Sequence, residues 1–186
     1  PTPLELRPSV SYIRPQPLGV IGIITPWNFP VYLSFAGLAS ALAAGNCCML
    51  KPSEFSPITT ALLARLLEGN FGEEHVAVIE GDETVAQAFS RLPFDHLLFT
   101  GSQRVGRLVA KAAAENLTPV TLELGGKSPL IVAPSGNLAK AAACAAHGKM
   151  INAGQACVSP DYAMVPEKQL RRFLTLVKRA SQKQYP

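Results

Sequence analysis

A carboxylate and a thiol stand at the two ends of one stretch of the sequence, and together they could perform covalent catalysis. Glu123 lies within the segment 122–129, and Cys157 closely follows Gly154 and Gln155. A cysteine thiolate is a good nucleophile, and a carboxylate can take a proton from water. Small residues beside both groups let a backbone approach a ligand closely. The stretch therefore predicts a reaction through sulfur, followed by activation of water.

The other three cysteines, Cys47, Cys48 and Cys144, are interpreted as buried small hydrophobic residues. The sequence has no C-x-x-C pair and no histidine at zinc spacing, so we expect no structural metal. Nothing indicates a disulfide framework, which favours a reducing compartment and the cytoplasm. His147, ten residues before Cys157, leaves a cysteine peptidase as a weaker alternative, although no peptidase signature surrounds the thiol.

The composition is that of a globular protein, with 48% hydrophobic and 16% charged residues among 186. The net charge of +4 is local, because residues 167–186 hold six Lys or Arg and one Glu. The rest of the chain carries −1, and no basic stretch is interleaved with aromatic residues, which argues against a nucleic-acid partner.

No charged residue lies between Arg14 and Lys51, and so long an apolar run invites a membrane-spanning interpretation. Pro26, Asn28 and Pro30 interrupt its middle, which a lipid-exposed span tolerates poorly. A buried strand, a loop, a helix and a second strand explain the run better, so we expect no membrane partner.

Apolar runs alternate with helical patterns along most of the chain. The predicted strands are 18–25, 46–50, 75–79, 96–99 and 120–122, and the predicted helices are 31–44, 57–67, 84–91 and 102–115. This alternation predicts an α/β fold with a doubly wound parallel sheet.

The domain prediction divides the chain at Gly125-Gly126. Residues 1–17 form an N-terminal arm, 18–125 a dinucleotide-binding domain, and 126–186 part of a second domain that carries the nucleophile. The last part is predicted to hold strands 130–132 and 162–165, a helix over 138–151 and a basic helix from Lys168. Such a unit is too small to close a core alone.

Several motifs resemble those of the aldehyde dehydrogenase superfamily. They are PWNFP at 26–30, KPSE at 51–54, FTGS at 99–102, ELGGKSP at 123–129 and GQAC at 154–157. The segment CVSPDY at 157–162 is similar to the class 3 and coniferyl aldehyde dehydrogenase branch. The resemblance implies a Rossmann-like NAD-binding domain, followed by the first part of an α/β catalytic domain, and an enzyme that oxidises an aldehyde to a carboxylic acid.

The resemblance also implies catalytic roles. Cys157 would attack the aldehyde carbonyl, and Asn28 with the backbone N–H of the cysteine would stabilise the oxygen anion. Glu123 would activate the water that hydrolyses the thioester, which favours hydrolysis over transfer to coenzyme A. We expect Glu123 to be partly buried. The alternatives that the residues leave open are a turn-forming Asn28 and a Glu123 paired with Lys127 or another cation.

The usual G-x-G-x-x-G fingerprint is missing, and a strand that turns into a helix at 99–106 offers a phosphate site instead. By resemblance, Gly101 and Ser102 lie at the cofactor phosphates, and Trp27 and Gly125 also contact the cofactor. Lys51 and Glu54 would reach the adenosine ribose, and the carboxylate favours NAD, with NADP possible. The alternative for Lys51, without a cofactor role, is a solvated charge at a strand end.

Members of the family are more than twice as long as this chain, which begins at Pro1 without a signal-peptide pattern, so we expect an internal segment of a longer protein. The resemblance implies that the parent acts on a small-molecule aldehyde, with long-chain or aromatic aldehydes favoured, and forms a homodimer or tetramer. The second reading is a non-catalytic dinucleotide-binding fragment that needs the missing parts or a partner chain.

Overall fold

The computed structural model describes residues 3–6 and 8–186, and its regular elements alternate between strands and helices. The strands are β1 Val20–Ile24, β2 Cys47–Lys51, β3 Val76–Val78, β4 His96–Gly101, β5 Val120–Leu124, β6 Ser128–Ile131 and β7 Pro160–Met164. The helices are α1 Pro30–Ala43, α2 Pro57–Glu68, α3 Glu83–Phe89, α4 Gln103–Ala114, α5 Leu138–Met150 and α6 Glu167–Gln184. Single turns of 3-10 helix lie at Leu4–Leu6 and Ile151–Gly154.

Five strands form one sheet in the order β3-β2-β1-β4-β5. β1 pairs in parallel with both β2 and β4, and β2 pairs in parallel with β3. The strand order runs outward from β1 to β3 and then restarts on the other side of β1 at β4. This is the order of the doubly wound folds that bind dinucleotides, so the predicted fold class is confirmed.

The contacts within the chain define two compact units, one made of residues 1–99 and 109–121 and the other of 100–108 and 122–186. The predicted domain ranges 18–125 and 126–186 remain predictions. In the described part of the predicted arm 1–17, the one regular element is the short turn at Leu4–Leu6, while residues 1, 2 and 7 lie outside the described residues.

The core of the first unit explains why the segment without charges is apolar on both sides of its strands. Its members are Ile21, Ile23, Leu38, Cys48, Leu50, Leu67 and Val76. Ile23 and Leu50 are opposite each other in the register and are fully buried. Burial of each such side chain contributes roughly 1.5–3 kcal/mol, so these strands form a firm base for the loops at their carboxyl ends.

Proline begins two helices of the first unit. Pro30 starts α1 and Pro57 starts α2. Proline suits a first helical position because it lacks an N–H that would have no partner there, and because its fixed φ already matches the helix. The loops before these helices, which carry Asn28 and Glu54, therefore end at defined points.

The second unit contains a two-stranded parallel sheet, β6-β7, and the helices α5 and α6. Its core consists of Val132, Leu138, Ala142 and Phe173. The side chain of Asn137 accepts a hydrogen bond from the backbone N–H of Lys140 at 3.0 Å and so caps α5. The cap and the core set the start of α5, whose other end leads to Cys157.

Candidate active site

The chain reverses direction sharply between α5 and Cys157. Asn152 and Ala153 have φ values of 49° and 54°, and Gly154 has φ of 78°. Three consecutive residues in the left-handed region are unusual, because the Cβ atom of Asn152 and Ala153 costs about 1–2 kcal/mol per residue there. The sequence offered no glycine at the first two positions, so this turn was not predicted.

Ser159 anchors the loop that carries the nucleophile. Its backbone N–H donates to the carbonyl of Ala156 at 3.0 Å, and its hydroxyl donates to the carbonyl of Gly148 at 3.2 Å. Ser159 is buried, whereas Cys157 is exposed with a free thiol. The arrangement fixes the backbone and leaves the sulfur accessible to a small molecule.

Cys144 is also exposed, so its interpretation as a buried hydrophobic residue is wrong. It lies on α5, on a different face from the buried residues Leu138, Ala142 and Ala146. Cys48 is buried, and burial together with the neighbouring Cys47 raises the pKa of its thiol to about 11. Cys48 is therefore protonated and unreactive at neutral pH.

Glu123 is exposed near the end of β5, so the expectation of partial burial is wrong. The strand alternates, with Thr121 and Glu123 exposed and Val120, Leu122 and Leu124 half-buried. The suggested pairing with Lys127 is also wrong, because the Lys127 ammonium lies 3.4 Å from a carboxylate oxygen of Asp161. None of the ion pairs among the described residues includes Glu123. Its carboxylate is open to water.

The loop that follows Glu123 packs directly on the backbone of Cys157. The Ser128 hydroxyl donates to the Cys157 carbonyl at 3.4 Å, and a Cβ atom added to Gly126 would lie 3.1 Å from that same oxygen. The structure thus brings the loops of the candidate base and the candidate nucleophile together within the second unit. The contributions of Ser128, Asp161 and Ser159 were missed, because a serine or an aspartate in a loop carries no sequence signal for such contacts.

Asn28 lies half-buried in the bend 27–29 that follows β1, beside a Trp27 that is 48% exposed. Buried hydroxyl groups brace both ends of this bend. The Thr25 and Ser34 hydroxyl oxygens are 3.0 Å apart, and the Ser34 hydroxyl donates to the carbonyl of Pro30 at 2.6 Å. The bend is therefore a stiff mount for an amide donor. The roles of Asn28 and Trp27 stay predictions.

Lys51 is buried, and its interpretation as a solvated strand-end charge is wrong. Only 1% of it is exposed at the carboxyl end of β2. Its ammonium donates to the carbonyl of Pro52 at 2.8 Å and lies 3.8 Å from the Glu54 carboxylate, which is 35% exposed. Burial lowers the pKa of Lys51, an effect that the charges of Glu54 and Asp82 partly oppose. A buried ammonium is costly unless its donors are used, so a ligand oxygen fits this position.

The remaining cofactor candidates lie in the second unit. Gly101 ends β4, and the exposed Ser102 precedes α4, with its hydroxyl oxygen accepting from the N–H of Val105 at 3.3 Å. An added Cβ at Gly125 would have no neighbour within 4 Å, so the described chain does not itself require glycine there. The start of α4 offers backbone N–H groups that suit a phosphate. The binding roles of these three residues stay predictions.

No helix in the described ranges is long and apolar enough to cross a membrane.

Comparisons with known proteins match these observations. Residues 2–185 match the profile of the aldehyde dehydrogenase family. A probable coniferyl aldehyde dehydrogenase from Pseudomonas aeruginosa is 52% identical over 98% of the chain and 38% of its own length. A 4,4'-diaponeurosporen-aldehyde dehydrogenase from Staphylococcus aureus is 48% identical over 89% of the chain and 36% of its own length. The chain thus spans well under half the length of these relatives.

Solved structures of aldehyde dehydrogenases are also similar to this chain. The substrate-bound state of AldH from Staphylococcus aureus superposes with a TM-score of 0.94 at 43% identity, covering 98% of this chain and 40% of that one. Aldehyde dehydrogenase C from Pseudomonas syringae, a variant solved with NAD+ and octanal, superposes with a TM-score of 0.82 at 38% identity, covering 89% of this chain and 35% of that one.

Proposed function

The chain belongs to the aldehyde dehydrogenase family, and from that premise we propose that it carries the nucleophile, the base and the cofactor-binding lysine of an enzyme that oxidises an aldehyde to a carboxylic acid. The main support is the contact of Gly126 and Ser128 with the Cys157 backbone. That contact holds the loop after Glu123 against the backbone of the residue that carries the exposed thiol. A base and a nucleophile that act in succession on one carbon need such a fixed relation.

The first step is addition of the Cys157 thiolate to the carbonyl carbon. A bond between sulfur and carbon forms, and the π electrons move to the oxygen. The Asn28 amide and the backbone N–H of Cys157 are assigned as the donors that stabilise this anion. The braced bend that holds Asn28 supports the assignment, because a donor that is already in position needs no reorganisation when the charge develops.

The cofactor, when bound, supplies the acceptor for the hydride that leaves the same carbon. The resulting thioester on Cys157 is then hydrolysed. Glu123 takes a proton from water, the water oxygen adds to the carbonyl, and the bond to sulfur breaks to release the acid and the thiol. The exposure of Glu123 supports this role, since a water molecule can reach its carboxylate.

The proposed cofactor is NAD, with NADP as a possible second choice. Lys51 and Glu54 would bind the hydroxyl groups of the adenosine ribose. Gly101 and Ser102 would lie at the phosphates, with Trp27 and Gly125 as further contacts. The buried ammonium beside a carboxylate supports this assignment, as do the relatives whose structures were solved with NAD+.

We propose an apolar substrate of the long-chain or aromatic kind. The segment 157–162 supports this class by its resemblance to coniferyl aldehyde dehydrogenases, and similar proteins act on coniferyl aldehyde by name or were solved with octanal. The free thiols favour a reducing compartment, for which we propose the cytoplasm.

One observation favours a second candidate function. The chain covers 38% of its relative's length, and several large apolar side chains are strongly exposed, among them Ile58, Ile131 and Val158. The chain by itself could therefore be a dinucleotide-binding module that depends on further protein for catalysis.

The test is reduction of NAD+ by the chain with octanal as the substrate. We expect Cys157→Ser to abolish the rate and Cys144→Ser, which alters the other exposed thiol, to retain it. Equal losses in both variants would contradict the assignment of Cys157. Binding of NAD+ without reduction, seen as a raised melting temperature, would support the binding module instead.

A further inference from the structure

Lys51, Glu54 and Asp82 are charged residues in the segments at the carboxyl ends of β2 and β3. The proposed function uses only Lys51 and Glu54. β2 and β3 are parallel, with Leu50 opposite Val78. The backbone N–H of Ile79 donates to the carbonyl of Leu50 at 2.8 Å, so the chain leaves β3 beside the position of Lys51. Asp82 follows three residues later, at the start of α3.

Hydrogen bonds hold the carboxylate of Asp82 in place. One of its oxygens accepts from the backbone N–H of Thr84 at 2.9 Å and of Val85 at 3.3 Å, which caps α3. Asp82 is exposed, but these hydrogen bonds hold its charge at a fixed position. The helix itself requires only an acceptor, because Asn and Ser cap about as well as Asp. The helix dipole also favours a negative charge at this end, but the cap itself does not depend on one.

The charge acts on the buried ammonium. Burial lowers the pKa of Lys51, while the charges of Glu54 and Asp82 oppose that effect in this order. Glu54 is on the loop after β2, whereas Asp82 is on the segment between β3 and α3. Two carboxylates from separate segments thus act on one ammonium, and the three groups together carry a net charge of −1.

We propose that Asp82, together with Glu54, makes this site select against a cofactor that carries a 2′-phosphate. The inference rests on the proposed function, which places the adenosine ribose at Lys51. A ribose hydroxyl is neutral and can both donate to a carboxylate and accept from the ammonium. A phosphate in its place brings between one and two negative charges, roughly, into a group that is already net negative. Asp82 is thus a specificity-determining residue for NAD over NADP.

The test compares two variants that change the net charge equally. Asp82→Asn removes the charge and retains the capping oxygen. Glu83→Gln removes the neighbouring charge in the first turn of α3 and leaves both carboxylates that act on Lys51. Dissociation constants are measured for NAD+ and NADP+, and for the smaller pair AMP and adenosine 2′,5′-bisphosphate, which differ only in the 2′-phosphate.

We expect Asp82→Asn to lower the ratio of the NADP+ to the NAD+ dissociation constant by roughly three- to tenfold. The smaller pair should show the same change, and it should shrink as salt is added, since screening weakens repulsion. Glu83→Gln should leave the ratio within about twofold, because Glu83 is not among the carboxylates that act on the Lys51 ammonium. Adding Glu54→Gln to Asp82→Asn should lower the ratio further.

The possible outcomes distinguish an error in the role of Asp82 from an error in the cofactor site. An unchanged ratio in Asp82→Asn, or an equal change in Glu83→Gln, would overturn the role of Asp82 and leave the cofactor site standing. Failure of the unmodified chain to bind either NAD+ or AMP would overturn the cofactor site and the inference with it. A melting temperature of Asp82→Asn equal to that of the unmodified chain shows that the cap is intact, and Asp82→Ala, which removes the cap, provides the contrast.

Discussion

The burial of Lys51 excludes one of its two interpretations, that of a solvated charge, and leaves its cofactor role as a prediction. A lysine at the end of a strand is usually solvated, but here the ammonium is buried and lies against Glu54 and the Pro52 carbonyl. A buried charge is seldom kept for stability, because its desolvation offsets much of what its partners contribute. Its presence is better explained by a ligand that it binds.

Lys51→Met should therefore change the pH dependence of stability as well as cofactor binding. The pKa of Lys51 is lower in the folded chain than its ordinary value of 10.5. Between these two pKa values the unfolded chain binds more protons than the folded chain, so the free energy of unfolding rises with pH across this window. Below the window, the burial of the charged ammonium lowers the free energy of unfolding by its full amount. The variant should lose that rise and should be no less stable at neutral pH.

Urea unfolding from about pH 8 to 10.5 measures this effect. Lys140→Met, at an exposed position of α5, is the matched control and should retain the rise. Cys48, whose raised pKa acts in the opposite direction, is present in both variants and cancels in the comparison. Identical slopes in the two variants would contradict the buried-charge account of Lys51.

At the scale of elements, the turn Ile151–Gly154 is the least regular part of the path from α5 to Cys157. Ala153 is strained because its Cβ atom is held in the left-handed region. Ala153→Gly should raise the free energy of unfolding by up to ~1 kcal/mol, since glycine accepts this conformation without a steric penalty. Ala143→Gly, at an exposed position inside α5, should lower it by about the same amount. Equal destabilisation by both changes would rule out the left-handed turn.

The Gly125-Gly126 pair gives a second comparison at this scale. A Cβ atom at Gly126 would press on the Cys157 carbonyl at 3.1 Å, whereas one at Gly125 would meet nothing within 4 Å. Gly126→Ala should therefore destabilise the chain by about 1 kcal/mol or more and alter the alkylation rate of Cys157. Gly125→Ala should change stability by less than ~0.5 kcal/mol. A larger effect at Gly125 would mean that the loop takes another path.

The elements themselves were largely predictable, and the site only in part. β1 is a continuous apolar run, and Pro30 and Pro57 mark helix starts, so local signals were sufficient for these elements. Burial at the ends of strands depends on what the rest of the fold places there. For this reason the exposure of Glu123 departed from expectation, and the burial of Lys51 excluded the alternative of a solvated charge.

Contacts between distant segments had no sequence signal at all. The Ser128 hydroxyl meets a carbonyl 29 positions along the chain, and Asp161 meets Lys127 across 34 positions. The motifs identified Cys157 and Glu123 through resemblance, but the loop packing that supports them became visible only in three dimensions.

At the scale of the whole molecule, the charge is concentrated in one helix. Residues 167–186 account for the positive balance, and α6 packs through Phe173 on the small core of the second unit. The chain covers 38% of a relative's length, and its strongly exposed apolar residues include Ile131 and Met164 on the two-stranded sheet. Measurements on this chain should therefore be made at low concentration, because such residues favour association.

The most direct test of the proposed reaction is to trap its covalent intermediate. The Glu123→Gln variant is incubated with octanal and NAD+. Acylation of each of its four cysteines is then measured by mass spectrometry of peptides. Without the carboxylate to activate water, an octanoyl thioester should accumulate on Cys157 and not on Cys144, which is also exposed. An acyl group found on both thiols alike, or on none of the four while NAD+ is reduced, would contradict the account of Cys157 as nucleophile and Glu123 as base.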